Sequence, residues 1–381
     1  MPLKVVIGAV ISLTPYSPGM AWNWMQLAIG LRQLGHDVYY IEEVAPEWCV
    51  DERGDRCTLD RSVNRRLFRE TMERFGFADQ AYQIRSDEAP LPDGLEKILA
   101  QCPDLLINMA GHIRSPRVLE RVQRRVYVDQ DPVYTQLWHA EYGSDLNFAA
   151  HDIFLSVGLN IGTPECRVPD CDVEWRHILP VVVPDLWTGA GHARSGRFTT
   201  VASWGGFGDL CYRGEWYGSK YVEFNRFAEL PRRVDQELEV ALRRHRADDP
   251  RVQRLVDNGW VLSNASTMTT LSSYQEFIAR SRAEIGIAKN AYVKARSGWF
   301  SDRAAHYLAS GRPVLAQSTG VEKWLPTGRG LLAFADMEQA VAGIEEINRD
   351  YDAHSRDARD FTAAYLDYRM VIPHMLEICS A

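Results

Sequence analysis

The residues of this chain best suited to chemistry lie in its last quarter, where Ser301, Asp302 and Arg303 open a short segment that ends at Gly311 and Pro313. Serine before the first turn, an acid inside it, and glycine followed by proline at the end specify a capped helix. Free backbone N–H groups and the dipole at such a start favour an anion, and Ser301 and Arg303 add side-chain donors. Only six of the 43 basic residues are lysines, yet Lys289 and Lys294 both flank this unit. Two cations beside a helix N-terminus suit a diphosphate. The plainer reading of the same residues is an ordinary capped helix with Asp302 and Arg303 in solvent, and the placement of the scarce lysines argues against it. A glycine-rich turn, Gly205 and Gly206 within Trp204-Gly-Gly-Phe-Gly208, would let backbone amides approach a phosphate, although alone it specifies no ligand.

The elements that must hold these groups alternate between strand and helix. Apolar runs at 285–288 and 313–317 flank the helix from Ser301, so the unit is strand, crossover and parallel strand. Ligands of an open parallel sheet sit beyond the carboxyl ends of its strands, which here carry Lys289 and then Ser318, Thr319 and Gly320. At the other end of the chain, 3–11 is a continuous apolar run suited to a central parallel strand. Trp24, Leu27, Ala28, Leu31 and Leu34 follow at helical spacing, Gly35 closes that helix, and 37–41 reads as the next strand. This βαβ opening lacks G-x-G-x-x-G, so it does not call for a dinucleotide. Further strands are expected at 103–108, 125–129 and 151–155. His112, Asp129 and Asp131 then fall on one sheet edge, where a turn histidine and a capped turn before Pro132 are the plainer readings. A linker at 184–196 leads to a second sheet opening at 199–203, with a strand at 259–263, an edge strand at 331–334, a helix at 335–350 and an amphipathic stretch at 358–378.

The 381 residues are enough for two cores, and 46% apolar with 25% charged residues is an ordinary globular composition. No apolar run approaches the roughly 18 to 20 residues that span a bilayer, and Met-Pro-Leu-Lys leads directly into a strand, so a cytoplasmic protein is expected. A net charge of −8 argues against nucleic acid as a partner. The seven cysteines contain no CxxC pair, and free buried thiols are expected over a Cys166–Cys171 bridge or a zinc site. A homodimer is compatible with this composition.

His306-Tyr-Leu-Ala-Ser-Gly-Arg-Pro-Val resembles the E-A-x-A-x-G-x-P-V segment in the donor domain of GT-B glycosyltransferases, above all the "group 1" or family 4-like set. The stretches SGWFSDR, YLASGRPVLAQ and LPTGRGLLAF are similar to a bacterial subgroup of these enzymes, and the likeness extends over most of the chain. The resemblance implies an α/β GT-B fold of two Rossmann-like domains with parallel sheets facing a cleft. Residues 1–183 would form the acceptor side and 197–357 the donor side, with a C-terminal helix at 358–381 packing back on the first domain. It implies transfer of a sugar from a nucleoside diphosphate sugar, the co-substrate, to a small-molecule or glycan acceptor, with no cofactor and no metal.

Lys220, Lys289, Ser301, Arg303, Gly205 and Gly206 would then hold the donor diphosphate; for Lys220 the alternative is a surface ion pair with Glu223. In the family a second glutamate binds the ribose, and His306 stands in its place. Asp302, one turn earlier on the same face, is the substitute, with Thr319 and Gly320 beside the sugar. His112 inherits a contact with the donor sugar. If the reaction inverts, Asp129 or Asp131 is the general base, since a hydroxyl needs a carboxylate or imidazole in reach to lose its proton. The Asp129-Gln-Asp131 tripeptide has the form of a metal site, but the resemblance puts it away from the diphosphate. Gly19, Trp22, Trp24 and Tyr134 would meet the acceptor, against the alternative that the tryptophans are core. A nucleotide-sugar epimerase and a catalytically silent nucleotide-sugar-binding subunit are the other functions open to this pattern.

Overall fold

The computed structural model describes residues 2–13, 17–86, 90–188, 196–243, 248–265 and 268–380. Seven strands build the first sheet: β1 (Lys4–Gly8), β2 (Asp37–Val44), β3 (Ala81–Arg85), β4 (Leu105–Met109), β5 (Arg124–Asp129), β6 (Ile153–Ser156) and β7 (Trp175–His177). All pair in parallel in the order 3-2-1-4-5-6-7. The apolar run of β1 lies at its centre, with Val5, Val6 and Ile7 fully buried, as a strand covered on both faces requires.

The second lobe follows with β8 (Phe198–Ser203), an antiparallel hairpin of β9 (Leu210–Tyr212) and β10 (Glu215–Tyr217), then β11 (Leu238–Arg243), β12 (Val261–Asn264), β13 (Ala283–Gly286), β14 (Val314–Gln317) and β15 (Leu331–Phe334). Its six-stranded parallel sheet has the order 12-11-8-13-14-15. Winding reverses between β1 and β4 in the first sheet and between β8 and β13 in the second. Those switch points are where ligands of such sheets bind.

Strands β3, β7, β9, β10 and β11 were not expected, for a physical reason. Strand β11 carries a fully buried Glu239, neutralised by Arg197 and Arg280, and β3 carries a buried Gln83 that donates to Glu42, so both break the apolar run that marks a central strand. Strand β7 and the two hairpin strands, three residues each, are too short to show alternation. The strand expected at 285–288 ends at Gly286, because Ile287 and Ala288 leave the ladder to meet Lys220 and Gln317. A helix Asn290–Ala295 also precedes the helix Asp302–Ala309 within that crossover.

The expected helix at 358–381 is two helices, Tyr351–Phe361 and Tyr368–Ser380, separated by a π-helical turn Thr362–Leu366. The break is pinned to the first lobe, where Val182 N donates to Leu366 O at 2.8 Å and Tyr368 N to Val182 O at 2.8 Å. Helix Tyr368–Ser380 lies on helix Pro18–Gln33 so closely that a Cβ at Gly30 would come within 2.7 Å of Ile372. Of the linker read at 184–196, residues 189–195 lie outside the described residues. One apolar core passes from Leu27 and Trp22 of the first lobe through Tyr274 to Tyr307 of the second, which fixes the lobes against each other.

Candidate active site

A cleft of about 840 Å³ runs between the carboxyl edges of the two sheets. From the second lobe, Lys220, Lys289, Ser301, Asp302 and Arg303 line it, with Gly206 in the turn after β8. Lys220 is the first residue of helix Lys220–Arg226, is 6% exposed, and donates through Nζ to Ile287 O at 2.8 Å. It makes no surface pair with Glu223, which is buried behind it and accepts from Arg226, Asn290 and Gln317. Burial first, then the nearby charges of Arg303 and Lys289, hold the Lys220 ammonium well below the ordinary lysine range. Arg303 is held by Glu284 through Nε and by Val201 O at 2.8 Å through Nη1, while Nη2 makes no hydrogen bond among the described residues.

Helix Asp302–Ala309 starts at the cleft wall. The Ser301 hydroxyl does not cap it and is without a hydrogen-bond partner among the described residues. Burial raises the Asp302 carboxyl against the pull of Arg303. A lysine ammonium destabilised by burial and by neighbouring cations beside a helix N-terminus is relieved by an anion, which suits this half of the cleft to one.

The first lobe contributes His112 and Asp131. Asp131 Oδ1 accepts from Lys289 Nζ at 2.9 Å and from Tyr292 Oη at 2.9 Å, whereas Oδ2 has no partner among the described residues. The Lys289 ammonium is further surrounded by the rings of Phe207 (4.3 Å), Tyr134 (4.8 Å) and Tyr292 (4.9 Å). Lys289 is therefore directed at a carboxylate across the cleft. Burial, and then Arg114, lower the His112 imidazole to about 4 despite Asp131, so it is neutral at pH 7 and able to accept a hydrogen bond.

Several expected site residues stand elsewhere. Asp129 is fully buried behind the wall, accepting from Thr135, Gln136, Ser156 and the Asp131 amide, and no oxygen is left for a substrate. His306 lies beneath the cleft floor, stacked on Trp187 at 4.5 Å. Its protonation is legible from the network: Gln26 Oε1 accepts from Val183 N (3.0 Å) and Trp187 Nε1 (2.8 Å), so Gln26 Nε2 donates to His306 Nε2 (2.8 Å) and His306 Nδ1 donates to Tyr274 Oη (3.2 Å). That residue ties the lobes together and meets no ribose. Gln26→Leu is expected to orphan two buried donors at roughly 1–3 kcal/mol each, lowering the denaturant midpoint while nucleotide binding persists.

Thr319 is buried with its hydroxyl donating to Trp299 O, and Gly320 packs on Asn160, so neither reaches the cleft. Gly205 stands behind Gly206, its carbonyl accepting from Gly208 N at 3.0 Å. Of the acceptor residues, Gly19 and Trp24 line the cleft. Trp22 is core, donating to Leu271 O at 3.0 Å, and Tyr134 is buried behind Phe207 with its hydroxyl donating to Gly208 O at 3.2 Å.

The sequence reading missed Tyr292, Phe207, Arg243 and Trp48, all on the cleft wall. Two were within reach of it: Tyr292 shares a helical face with Lys289 three residues earlier, and Phe207 sits inside the glycine-rich turn. The loop after β1 is anchored by Glu42, whose Oε1 accepts from Ile11 N and Ser12 N at 2.8 Å. Burial pushes the Glu42 carboxyl up to about 7 against these hydrogen bonds. Between about pH 4.3 and 7 the native state holds a proton that the unfolded chain releases, so stability falls as pH rises through that window, by on the order of 3 kcal/mol. Glu42→Gln is expected to flatten that slope, read as the difference in unfolding midpoint between pH 5 and pH 8.

No family model matches the chain, and no curated protein matches it. Solved structures do. HepE of Anabaena in complex with UDP and glucose is 10% identical with a TM-score of 0.59, covering 100% of both chains. Sucrose-phosphate synthase from Thermosynechococcus elongatus is 11% identical with a TM-score of 0.55, covering 98% of this chain and 97% of that one. An alpha-glucosyltransferase in complex with UDP and a 13-mer DNA containing an HMU base is 13% identical with a TM-score of 0.56, covering 100% of both. At these identities the likeness shows the fold, which is GT-B, with two Rossmann-like α/β domains.

Proposed function

We propose that the chain is a glycosyltransferase that moves a sugar from a nucleoside diphosphate sugar to a hydroxyl-bearing acceptor. The observation that carries this reading is the buried cationic pair Lys220 and Arg303 at the start of helix Asp302–Ala309, opening on a cleft between two Rossmann-like lobes. Structures of the same fold in complex with UDP support it.

In this reading Lys220, Arg303, Ser301 and the helix start hold the diphosphate, and the Gly206 turn lets it approach closely. Asp302 is the carboxylate available to the ribose. The acceptor hydroxyl attacks the anomeric carbon, the bond to the diphosphate oxygen breaks with its electron pair, and the hydroxyl proton passes to Asp131 Oδ2. The cations stabilise the charge that grows on the leaving diphosphate. Neutral His112 accepts a hydrogen bond from the donor sugar, and Lys289 with Tyr292 hold Asp131 in position.

Charge compensation by side chains makes a divalent ion unnecessary to this scheme. A chelator is expected to leave turnover unchanged, and its complete loss would contradict the scheme. The decisive test is a thermal-shift screen of nucleoside diphosphates, in which one base should raise the melting temperature in a concentration-dependent manner. Incubation with donor alone should then give slow hydrolysis at most; an isomerised nucleotide sugar would point to an epimerase.

A further inference from the structure

We propose that the acceptor half of the cleft takes a planar, largely apolar molecule bearing a hydroxyl, a phenol or other aromatic alcohol rather than a saccharide; the inference rests on the glycosyl-transfer reading above. The aromatic side chains there are placed for such a body. Trp48 is 55% exposed and Phe207 43% exposed, and both line the cleft together with Trp24 and the half-buried Trp138, whose ring lies 5.0 Å from that of Phe207 in an edge-to-face arrangement. Large apolar rings left open beside a reactive carboxylate offer stacking surface.

Several polar side chains on the same wall are already engaged with the protein. Thr135 donates to Asp129 at 2.6 Å, Asn23 to Gln130 at 3.4 Å, Arg114 to Asp145 at 2.9 Å, and Ser17 Oγ accepts from Arg243. With His112 turned to the donor sugar, what remains on the acceptor side among the described residues is Asp131 Oδ2 and the indole Nε1 of Trp24, which has no hydrogen-bond partner among them. Asp131 Oδ2 serves the one reacting hydroxyl. A saccharide presents a hydroxyl on most ring carbons, and each one desolvated against tryptophan without a partner would oppose binding. An aromatic alcohol needs few polar meeting points and an apolar bed, and the wall supplies Asp131 Oδ2 and Trp24 Nε1 among exposed rings.

The test measures binding and transfer separately. Calorimetry with 4-methylumbelliferone and 4-nitrophenol on the full chain should show saturable binding without donor, weakened roughly three- to tenfold in Trp48→Ala. Trp138→Ala serves as a second variant. With UDP-glucose, or whichever nucleoside diphosphate glucose the thermal screen selects, mass spectrometry should detect the glycosylated phenol and no glycosylated maltose or cellobiose. Nucleotide binding accompanied by transfer to the disaccharides alone overturns the acceptor inference and leaves the donor reading standing. Phenol binding that depends on Trp48, with no nucleotide bound, does the reverse. Failure of every aromatic probe to bind also overturns the inference.

Discussion

Lys220→Met is expected to abolish the thermal shift given by the nucleoside diphosphate and to lower kcat/KM by about 10²–10³, the loss typical when one fixed donor to developing charge is removed. The geometry separates this from a simple folding defect. The Lys220 ammonium is desolvated and repelled by Arg303 and Lys289, so a neutral side chain of similar length removes an unfavourable charge along with the single hydrogen bond to Ile287 O. The variant without ligand should melt at or above the temperature of the parent protein, while the ligand-dependent increment disappears. A variant that melts normally and still gives the full increment would mean that the diphosphate lies elsewhere.

Asp131→Asn is expected to lower transfer by about 10²–10⁴ with nucleotide affinity held within a few-fold, since removing a positioned proton acceptor acts on the chemical step. The amide oxygen can still accept from Lys289 and Tyr292, so the contact between the lobes survives the substitution. Lys289→Met provides the control in the other direction: Asp131 keeps its charge and its bond to Tyr292 but loses the cation that orients it. If Asp131 were only a strut between lobes, Asp131→Asn would be the milder of the two and Lys289→Met the more damaging. Transfer at parental rate by Asp131→Asn removes the residue from the chemistry.

The helix at Ser301 was legible because caps and terminators act within a few residues of the bond they satisfy. The buried strand β1 was legible because a strand covered on both faces must be apolar throughout. Glu239 in β11 and Gln83 in β3 hid their strands, since a buried polar residue is tolerated only where a distant partner neutralises it, and Arg197, Arg280 and Glu42 are not neighbours in sequence. Within one helix, Trp22 and Trp24 looked alike. Two residues apart on a helix they face different ways, and only docking of the second lobe decided that Trp22 packs under Leu271 while Trp24 lines the cleft.

The sequence by itself determined two α/β layers, the order of strand and helix along most of the chain, and an anion-suited helix start with Lys220 and Arg303 in its lobe. Only the tertiary structure decided that Lys289 turns to Asp131, 158 residues away, that His306 joins Gln26 beneath the cleft, and that Asp129 is sealed while Asp131 keeps an open oxygen. Local rules fix a backbone by hydrogen bonds a few residues apart. Which side chains share a cleft is fixed by how two lobes close on a common core, and that depends on packing between residues that no sequence window holds together.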